Sequence, residues 1–350
     1  MSDDFRPRLT VDLGALRRNA RAMMAMRPSA ELMPVVKADA YGLGAENIVN
    51  ALVADGVVHY FVAFVEEATK LHRAVPQAVF YVFGAASGSG PYSEHIRPVL
   101  FRREDLDAWS GSPCAVQIEI GMNRLGLRVE ALEGLSPRHD VALVMAHMSD
   151  AGTPSSPRIA DQREQFMGLT DQLKTLFPNA ALSLSSTGHL MLGTAADEAA
   201  IRPGVGLYGG APGPQGSLET VATFEARVMS VHDVPAGETV GYSGQWTATR
   251  ASRIATLGAG YADGLPRHLT NKGKVWLNGA ACPIVGVVSM DLTTIDVTDI
   301  DDVSVGDWAE VFGARINVSD VAEVLETIDY DLFTGIRGRT VRRYIETSAK

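Results

Sequence analysis

Cysteine is nearly absent: only Cys114 and Cys282 occur among 350 residues, and they lie far apart in the chain. This excludes a disulfide framework and a zinc site built from thiolates, and it fits a reducing compartment. Lysine is also scarce, with six in the chain, and no long basic run offers a footprint for a phosphate backbone. Acidic side chains outnumber basic ones, 41 to 31, so the formal charge is -10 and a dedicated nucleic-acid binder is excluded. No apolar run approaches the roughly 18 residues that span a bilayer. The opening Met1-Ser2-Asp3-Asp4-Phe5-Arg6 lacks the apolar core of a signal peptide. The expectation is a cytoplasmic protein with no membrane or nucleic-acid partner. The 34 glycines and 17 prolines are scattered rather than clustered, which excludes collagen-like and low-complexity chains.

What is present is an ordinary globular composition, 46% apolar and 21% charged, on a chain long enough for two domains or a large barrel with an appendage. From Leu9 to about Gly210, short apolar runs alternate with helical patterns, the signature of βα units on a parallel sheet. Eight runs qualify as strands: 32–36, 60–63, 79–83, 98–100, 115–119, 141–146, 182–184 and 205–208. That number predicts a (β/α)8 TIM-type barrel. Between them, residues 13–26 place Leu13, Leu16, Ala20, Met23 and Met24 on one helical face, and residues 162–177 do the same with Phe166, Leu169, Leu173 and Leu176.

The rhythm changes after the turn-rich stretch 211–216, which reads as a linker. Short alternating runs at 222–231, 253–257, 274–277, 283–287, 292–297 and 308–312 then predict a mostly β C-terminal domain, interrupted by a helix over 318–328. The predicted boundaries are 9–215 for the barrel and 216–350, with residues 1–8, for the β domain.

Lys37 follows the apolar run Leu32-Met33-Pro34-Val35-Val36, where a barrel strand delivers its last side chain to the C-terminal rim on which barrel active sites are built. A partly desolvated lysine there has a lowered amine pKa and can form a Schiff base with an aldehyde. Position alone leaves open a solubilising lysine that snorkels outward and pairs with Asp39. The run Val35-Val36-Lys37-Ala38-Asp39-Ala40-Tyr41-Gly42-Leu43-Gly44 closely resembles the pyridoxal-phosphate lysine motif of the alanine racemases. Four further segments resemble that family's other signatures, in its order and spacing. They are Gly121-Met122-Asn123-Arg124-Leu125-Gly126, Arg202-Pro203-Gly204-Val205-Gly206-Leu207-Tyr208-Gly209, Ala259-Gly260-Tyr261-Ala262-Asp263-Gly264-Leu265-Pro266-Arg267 and Val287-Val288-Ser289-Met290-Asp291. The resemblance covers nearly the whole chain.

It implies interconversion of L- and D-alanine on pyridoxal 5'-phosphate, with D-alanine supplied for peptidoglycan. Lys37 would hold the cofactor and serve as the base facing the D-isomer, and Tyr261 would be the base facing the L-isomer. Arg202 would bond the pyridine nitrogen, and a guanidinium donates there while keeping its own proton. His147 would sit near Arg202 and the tyrosine. Tyr41, Ser186, Thr187, Gly204 and Val205 would surround the phosphate, and Arg124 and Met290 would contact the substrate carboxylate. The resemblance further implies a homodimer with shared sites, to which the partner copy lends the Tyr261 and Met290 positions. No metal is implied.

The chain departs from the family pattern at four places. Gln117 replaces a lysine that many members carbamylate to orient the motif arginine, so its amide oxygen, or an anion beside Arg124, is expected to take over. Gly338 stands where some members carry a phosphate-reaching tyrosine, Leu43 replaces a histidine, and Gly152 replaces a frequent aspartate. The departures at Gln117, Gly338 and Gly152 leave open a broader racemase acting on serine or lysine; a decarboxylase of the same architecture is the second class, and it lacks this Gly260-Tyr261-Ala262-Asp263 signature. A barrel-only protein that stores the cofactor does not fit a chain with residues 222–346 as a second domain.

Overall fold

The computed structural model describes residues 5–85, 93–110, 112–150, 155–194, 198–210 and 218–348. The expected linker at 211–216 and Gly152 lie outside them. The chain divides into two compact units, Leu16–Glu219 and Met1–Ala15 with Thr220–Lys350.

The chain opens with β1 (Arg8–Asp12), which belongs to the second unit, and then with the expected helix Leu13–Met26. The first unit is built on β2 (Glu31–Leu32), β3 (His59–Val62), β4 (Val79–Val82), β5 (Ile96–Leu100), β6 (Cys114–Ile118), β7 (Val141–Ala146), β8 (Ala181–Ser183) and β9 (Ala200–Ile201). Strands β3 to β8 pair in sequence order, all parallel, and β2 pairs β9 in parallel. Two parallel bridges, Val35 with Phe61 and Ser186 with Arg202, join the pieces, so the eight strands close into the expected barrel. All four residues of β4, Val-Phe-Tyr-Val, are buried, as they must be when one face lines the barrel interior and the other meets helices. Met33, Phe61, Tyr81, Val99, Ala115 and Leu143 fill the interior from six different strands or strand extensions. A second cluster, including Val116, Val144, Phe166 and Leu173, packs strands against the surrounding helices.

The last barrel strand is not where the apolar pattern put it. Val205–Tyr208 forms a 3₁₀ turn, and Ala200–Ile201 is the strand. Pro203 has no amide to extend the ladder, and Gly209 reverses the chain at φ 84°. A buried turn and a buried strand have the same apolar composition, so the run alone does not separate them. The expected helix at 162–177 is two, Pro157–Gly168 and Thr170–Leu176, interrupted at Leu169.

The second unit is a mostly antiparallel sheet around the thirteen-residue β10 (Ala222–Val234). Its buried residues Ala222, Phe224, Ala226 and Val228 alternate with less buried Thr223, Glu225 and Arg227, the period of a half-buried strand. Beyond β10 the chain adds β11 (Thr239–Val240), β12 (Trp246–Thr247), β13 (Ser252–Leu257), β14 (Lys274–Leu277), β15 (Ala280–Pro283), β16 (Thr293–Asp296), β17 (Trp308–Phe312) and β18 (Val341–Ile345). The sheet runs β15-β14-β17-β10-β1-β18, with β13 on β10 and β16 on β13. The pattern placed Leu9 at the start of the barrel, yet Leu9 pairs with Phe224 and Arg342 in this sheet.

The expected strand at 283–287 is displaced. Asn278 (φ 46°) and Gly279 (φ 89°) make a two-residue hairpin turn that folds Ala280–Pro283 back on β14. The expected helix at 318–328 ends at Val324, and a second helix, Asp329–Thr334, follows.

Candidate active site

On the first unit, the site residues gather where the barrel strands end. Val36 N–H donates to Phe61 O at 2.8 Å, which anchors the chain to β3 just before Lys37. The backbone then turns left-handed through Ala38, Asp39, Ala40 and Tyr41, with φ of 53°, 55°, 51° and 59°. Such a conformation costs an L residue about 1–2 kcal/mol, so neighbours must hold it. Ala40 N–H donates to Val36 O at 2.9 Å, Gly42 N–H to Ala38 O at 2.8 Å, and Ala45 N–H to Asp39 Oδ1 at 2.9 Å. The turn leaves Lys37 at the rim and buries Tyr41, whose ring lies 5.2 Å from that of Tyr208. A Cβ on Gly204 would stand 2.4 Å from Tyr41 Oη, so glycine is required for this approach.

Lys37 is open to the rim, yet the surrounding protein desolvates its ammonium and lowers the amine pKa from its ordinary value. Arg124 lowers it further, and Glu67 opposes. Arg124 sits on the loop after β6. The carboxylate of Glu119 accepts Gly121 N–H at 2.6 Å and Arg124 N–H at 3.4 Å, and these and neighbouring amides hold its pKa down against burial. Gln117 Nε2 donates to Leu125 O at 2.7 Å, so its amide nitrogen ties the same loop.

Arg202 is 4% exposed. It donates to Ser183 Oγ, to Ala146 O at 2.6 Å and to Leu184 O at 3.5 Å, and Ser183 Oγ donates onward to Ala200 O at 2.6 Å. Burial lowers its pKa to about 10, partly offset by Glu198, so it stays protonated near neutral pH. Glu198 is itself held by Leu184 N–H and by Ser185 N–H at 2.8 Å.

His147, at the end of β7, is pulled down to about 3 by burial, then by Arg202, Arg124, His189 and Lys37. The buried His189, 3.2 Å from Ser186 Oγ through Nδ1, is pulled down to about 4 by burial and Arg202. Both imidazoles are neutral at physiological pH. Thr187 Oγ1 accepts Gly204 N–H at 3.0 Å and Gly206 N–H at 3.3 Å, which joins the two segments expected around a phosphate. Lys37, Arg124 and Arg202 are thus close enough to influence shared neighbours, while Glu119 and Glu198 are committed to backbone amides.

On the second unit, Tyr261 and Met290 line one cavity of about 450 Å³ with Tyr242, Arg267 and Asp291. Tyr261 N–H donates to Ser289 O at 3.1 Å and Ala262 N–H to Met290 O at 3.0 Å, so the two motif loops are zipped together. Arg339 ties them to the segment before β18, reaching Asp263 Oδ1 at 2.6 Å and Asp291 Oδ1 at 2.5 Å.

The first unit therefore brings together Lys37, Tyr41, Arg124, His147, Ser186, Thr187, Arg202, Gly204 and Val205, and the second brings together Tyr261 and Met290. The sequence reading missed Ser183, Glu119, Glu198, His189 and Arg339. Ser183 lies three positions before Ser186, which was expected near the phosphate, and Glu119 precedes a glycine turn by two residues; the others carry no local signal.

A barrel whose rim gathers a desolvated lysine with two arginines, carried on one chain with an antiparallel unit presenting a tyrosine, is the class that fold and site define. The family models for the N-terminal and C-terminal domains of alanine racemase match residues 11–212 and 221–344. The chain belongs to the alanine racemase family, and with it to the amino-acid isomerases. It is 37% identical to a catabolic alanine racemase of Agrobacterium fabrum over 97% of this chain and 92% of that protein. It is equally 37% identical to an alanine racemase of Methylobacterium, over 97% and 98% of the two chains. The crystal structure of alanine racemase from Bartonella henselae, solved with covalently bound pyridoxal phosphate, matches at a TM-score of 0.88 and 30% identity, covering 97% of this chain and 99% of that one.

Proposed function

We propose that this chain interconverts L- and D-alanine with pyridoxal 5'-phosphate held on Lys37. The observation that carries this is the gathering of cationic side chains on the barrel rim. Lys37, Arg124 and Arg202 gather around imidazoles that stay neutral, while nearby carboxylates are spent on backbone amides. Such a site fits a small dianionic group with a phenolic oxygen and an aldehyde, and the glycine cradle beside Tyr41 and Thr187 fits its phosphate.

Bound pyridoxal phosphate supplies an electron sink for the pair left when an α-proton departs. Lys37 Nζ, free of its proton more readily than an ordinary lysine, holds the cofactor and then takes or returns the proton on the D side. Tyr261 Oη serves the L side. Arg202 would donate an N–H to the pyridine nitrogen of bound cofactor and, staying protonated itself, would give that atom no proton, which would keep the sink weak and disfavour side reactions. Neutral His147 adds no charge to this balance. Arg124 receives the substrate carboxylate with Met290, and Gln117 serves Arg124 by holding Leu125.

We place Tyr261 and Met290 in the active site of a second copy, making a homodimer. Tyr261, Met290 and Tyr242 are 39%, 52% and 70% exposed, a cluster of large apolar side chains left open around one cavity. Activity lost on dilution and restored on concentration tests this. The cytoplasm is the proposed compartment, on the two free cysteines that form no disulfide with each other. No described helix is long and apolar enough to cross a membrane.

The test of the activity is chiral analysis of L-alanine, L-serine and L-lysine, each incubated with protein and pyridoxal phosphate in deuterated water. Deuterated D-alanine forming well ahead of the others supports the proposal. D-serine or D-lysine leading moves it to a broad-specificity racemase, and carbon dioxide without any D-isomer moves it to a decarboxylase. Supply of D-alanine for peptidoglycan is the proposed role. Alanine catabolism is the second reading, supported by the name of the Agrobacterium relative.

A further inference from the structure

The left-handed turn Ala38–Tyr41 begins at the peptide that follows Lys37, and its four residues are all non-glycine. Its leading amide is gripped from another element: Ala38 N–H donates to Glu67 Oε1 at 2.6 Å. The other oxygen of the same carboxylate, Oε2, accepts Ala63 N–H at 2.7 Å and Phe64 N–H at 3.0 Å. Glu67 lies in the first turn of helix Val65–Ala74, and Ala63 and Phe64 follow β3, whose Phe61 bridges Val35 two residues before the lysine. One carboxylate thus joins the end of β3, a helix N-terminus and the backbone immediately after Lys37. A carboxylate suits all three partners, because each is an amide donor and two of them lie at the positive end of the helix.

We propose that Glu67 is a positioning residue for Lys37: by gripping the Ala38 amide it holds the left-handed turn closed and fixes the direction in which the lysine amine leaves the barrel rim. The proposal rests on the reading of Lys37 as the amine that holds the cofactor. Charge and grip act on that amine in opposite directions. The Glu67 carboxylate favours the ammonium, so its removal leaves more free amine at a given pH and by charge alone speeds attack on an aldehyde. Loss of the grip misaims the amine and slows the same attack.

The test compares full-length unaltered protein with Glu67→Gln, which keeps one acceptor oxygen, and Glu67→Ala, which keeps none. Pyridoxal phosphate is added, its attachment to Lys37 is trapped with borohydride, and the Lys37 peptide is counted by mass spectrometry. In that attachment Nζ bonds to the aldehyde carbon, and the aldehyde oxygen leaves as water with two amine protons. Parallel acetylation with trace acetic anhydride across pH reports the free-amine fraction of Lys37, with Lys174 as internal reference and thermal unfolding as the check on folding. Attachment slowed about 100-fold in Glu67→Ala and about tenfold in Glu67→Gln, while the Lys37 acetylation profile moves to lower pH, is the expected result. Attachment as fast as in the unaltered protein, or faster, overturns the proposal, and Glu67→Gln decides it if Glu67→Ala fails to fold. If the unaltered protein attaches no pyridoxal phosphate, the cofactor reading of Lys37 has failed; both variants lack the charge, so equal Lys37 acetylation rates in Glu67→Gln and Glu67→Ala then overturn the grip.

Discussion

The two units hold their site residues in different ways. On the barrel rim, Arg202 is buried and its guanidinium is committed to a hydroxyl and two carbonyls, while carboxylates fix the loops on either side. On the β unit, Tyr261 and Met290 stand partly exposed on loops zipped to each other by backbone bonds, with Arg339 as an outer tie. The difference teaches that the barrel-rim groups are fixed by hydrogen bonds from their own unit, whereas the β unit leaves large apolar side chains partly exposed beside its loops. Preorganised cations are the expensive part of such a site, because each buried charge must be desolvated and satisfied in advance.

The largest test of this contrast is chemical. Lys37→Ala is expected to remove alanine racemisation in both directions, by about 10⁴-fold or more. Tyr261→Phe is expected to block racemisation while leaving exchange of the D-alanine α-proton with deuterated water, read by mass spectrometry. Equal loss of both exchanges in Tyr261→Phe would remove the division of labour between the two units.

Next comes stability. Arg202→Ala leaves Ala146 O and Leu184 O without this donor in the buried rim, removes the bond Ser183 Oγ accepts, and is expected to destabilise the protein by about 2–4 kcal/mol, read by thermal or denaturant unfolding. Arg339→Ala, on the exposed tie, is expected to lower the melting temperature by less than Arg202→Ala does. The reverse order would show that the β-unit loops, not the rim, are the rigid half.

The last test is a pH slope. His147 and His189 fold with pKa values of about 3 and about 4 against an ordinary 6.5, so the unfolded chain takes up their protons first. Stability is therefore expected to fall as pH drops from 6.5 towards 4, with a slope near two protons from these groups. His189→Gln is expected to remove about one proton from that slope. An unchanged slope in calorimetric scans from pH 7 to 4.5 would mean that this imidazole is hydrated rather than desolvated.

The apolar runs of β4, β7 and β14 were legible in the chain, because a strand buried on both faces or in alternation leaves its period in the residues. Val205–Tyr208 was not legible as a turn, since burial selects the same apolar residues for either shape. Among the site groups, Lys37, Arg124, Arg202 and Tyr261 stood in recognisable motifs. Glu67, Ser183 and Arg339 did not: Glu67 caps its own helix locally, but its bond to Ala38 spans 29 positions, and those of Ser183 to Arg202 and of Arg339 to Asp263 span 19 and 76, contacts that only folding brings about.

The sequence by itself determined the inventory: a lysine after an apolar run, the arginines, the tyrosine, and the order of barrel and β unit. Tertiary structure decided what those groups are. Desolvation depends on what surrounds a group, so a histidine of ordinary pKa 6.5 becomes one of about 3 only when β7 ends beside Arg202. The left-handed turn after Lys37 likewise meets, only in the folded chain, the carboxylate of Glu67, which comes from a later helix and accepts the Ala38 amide 29 positions away.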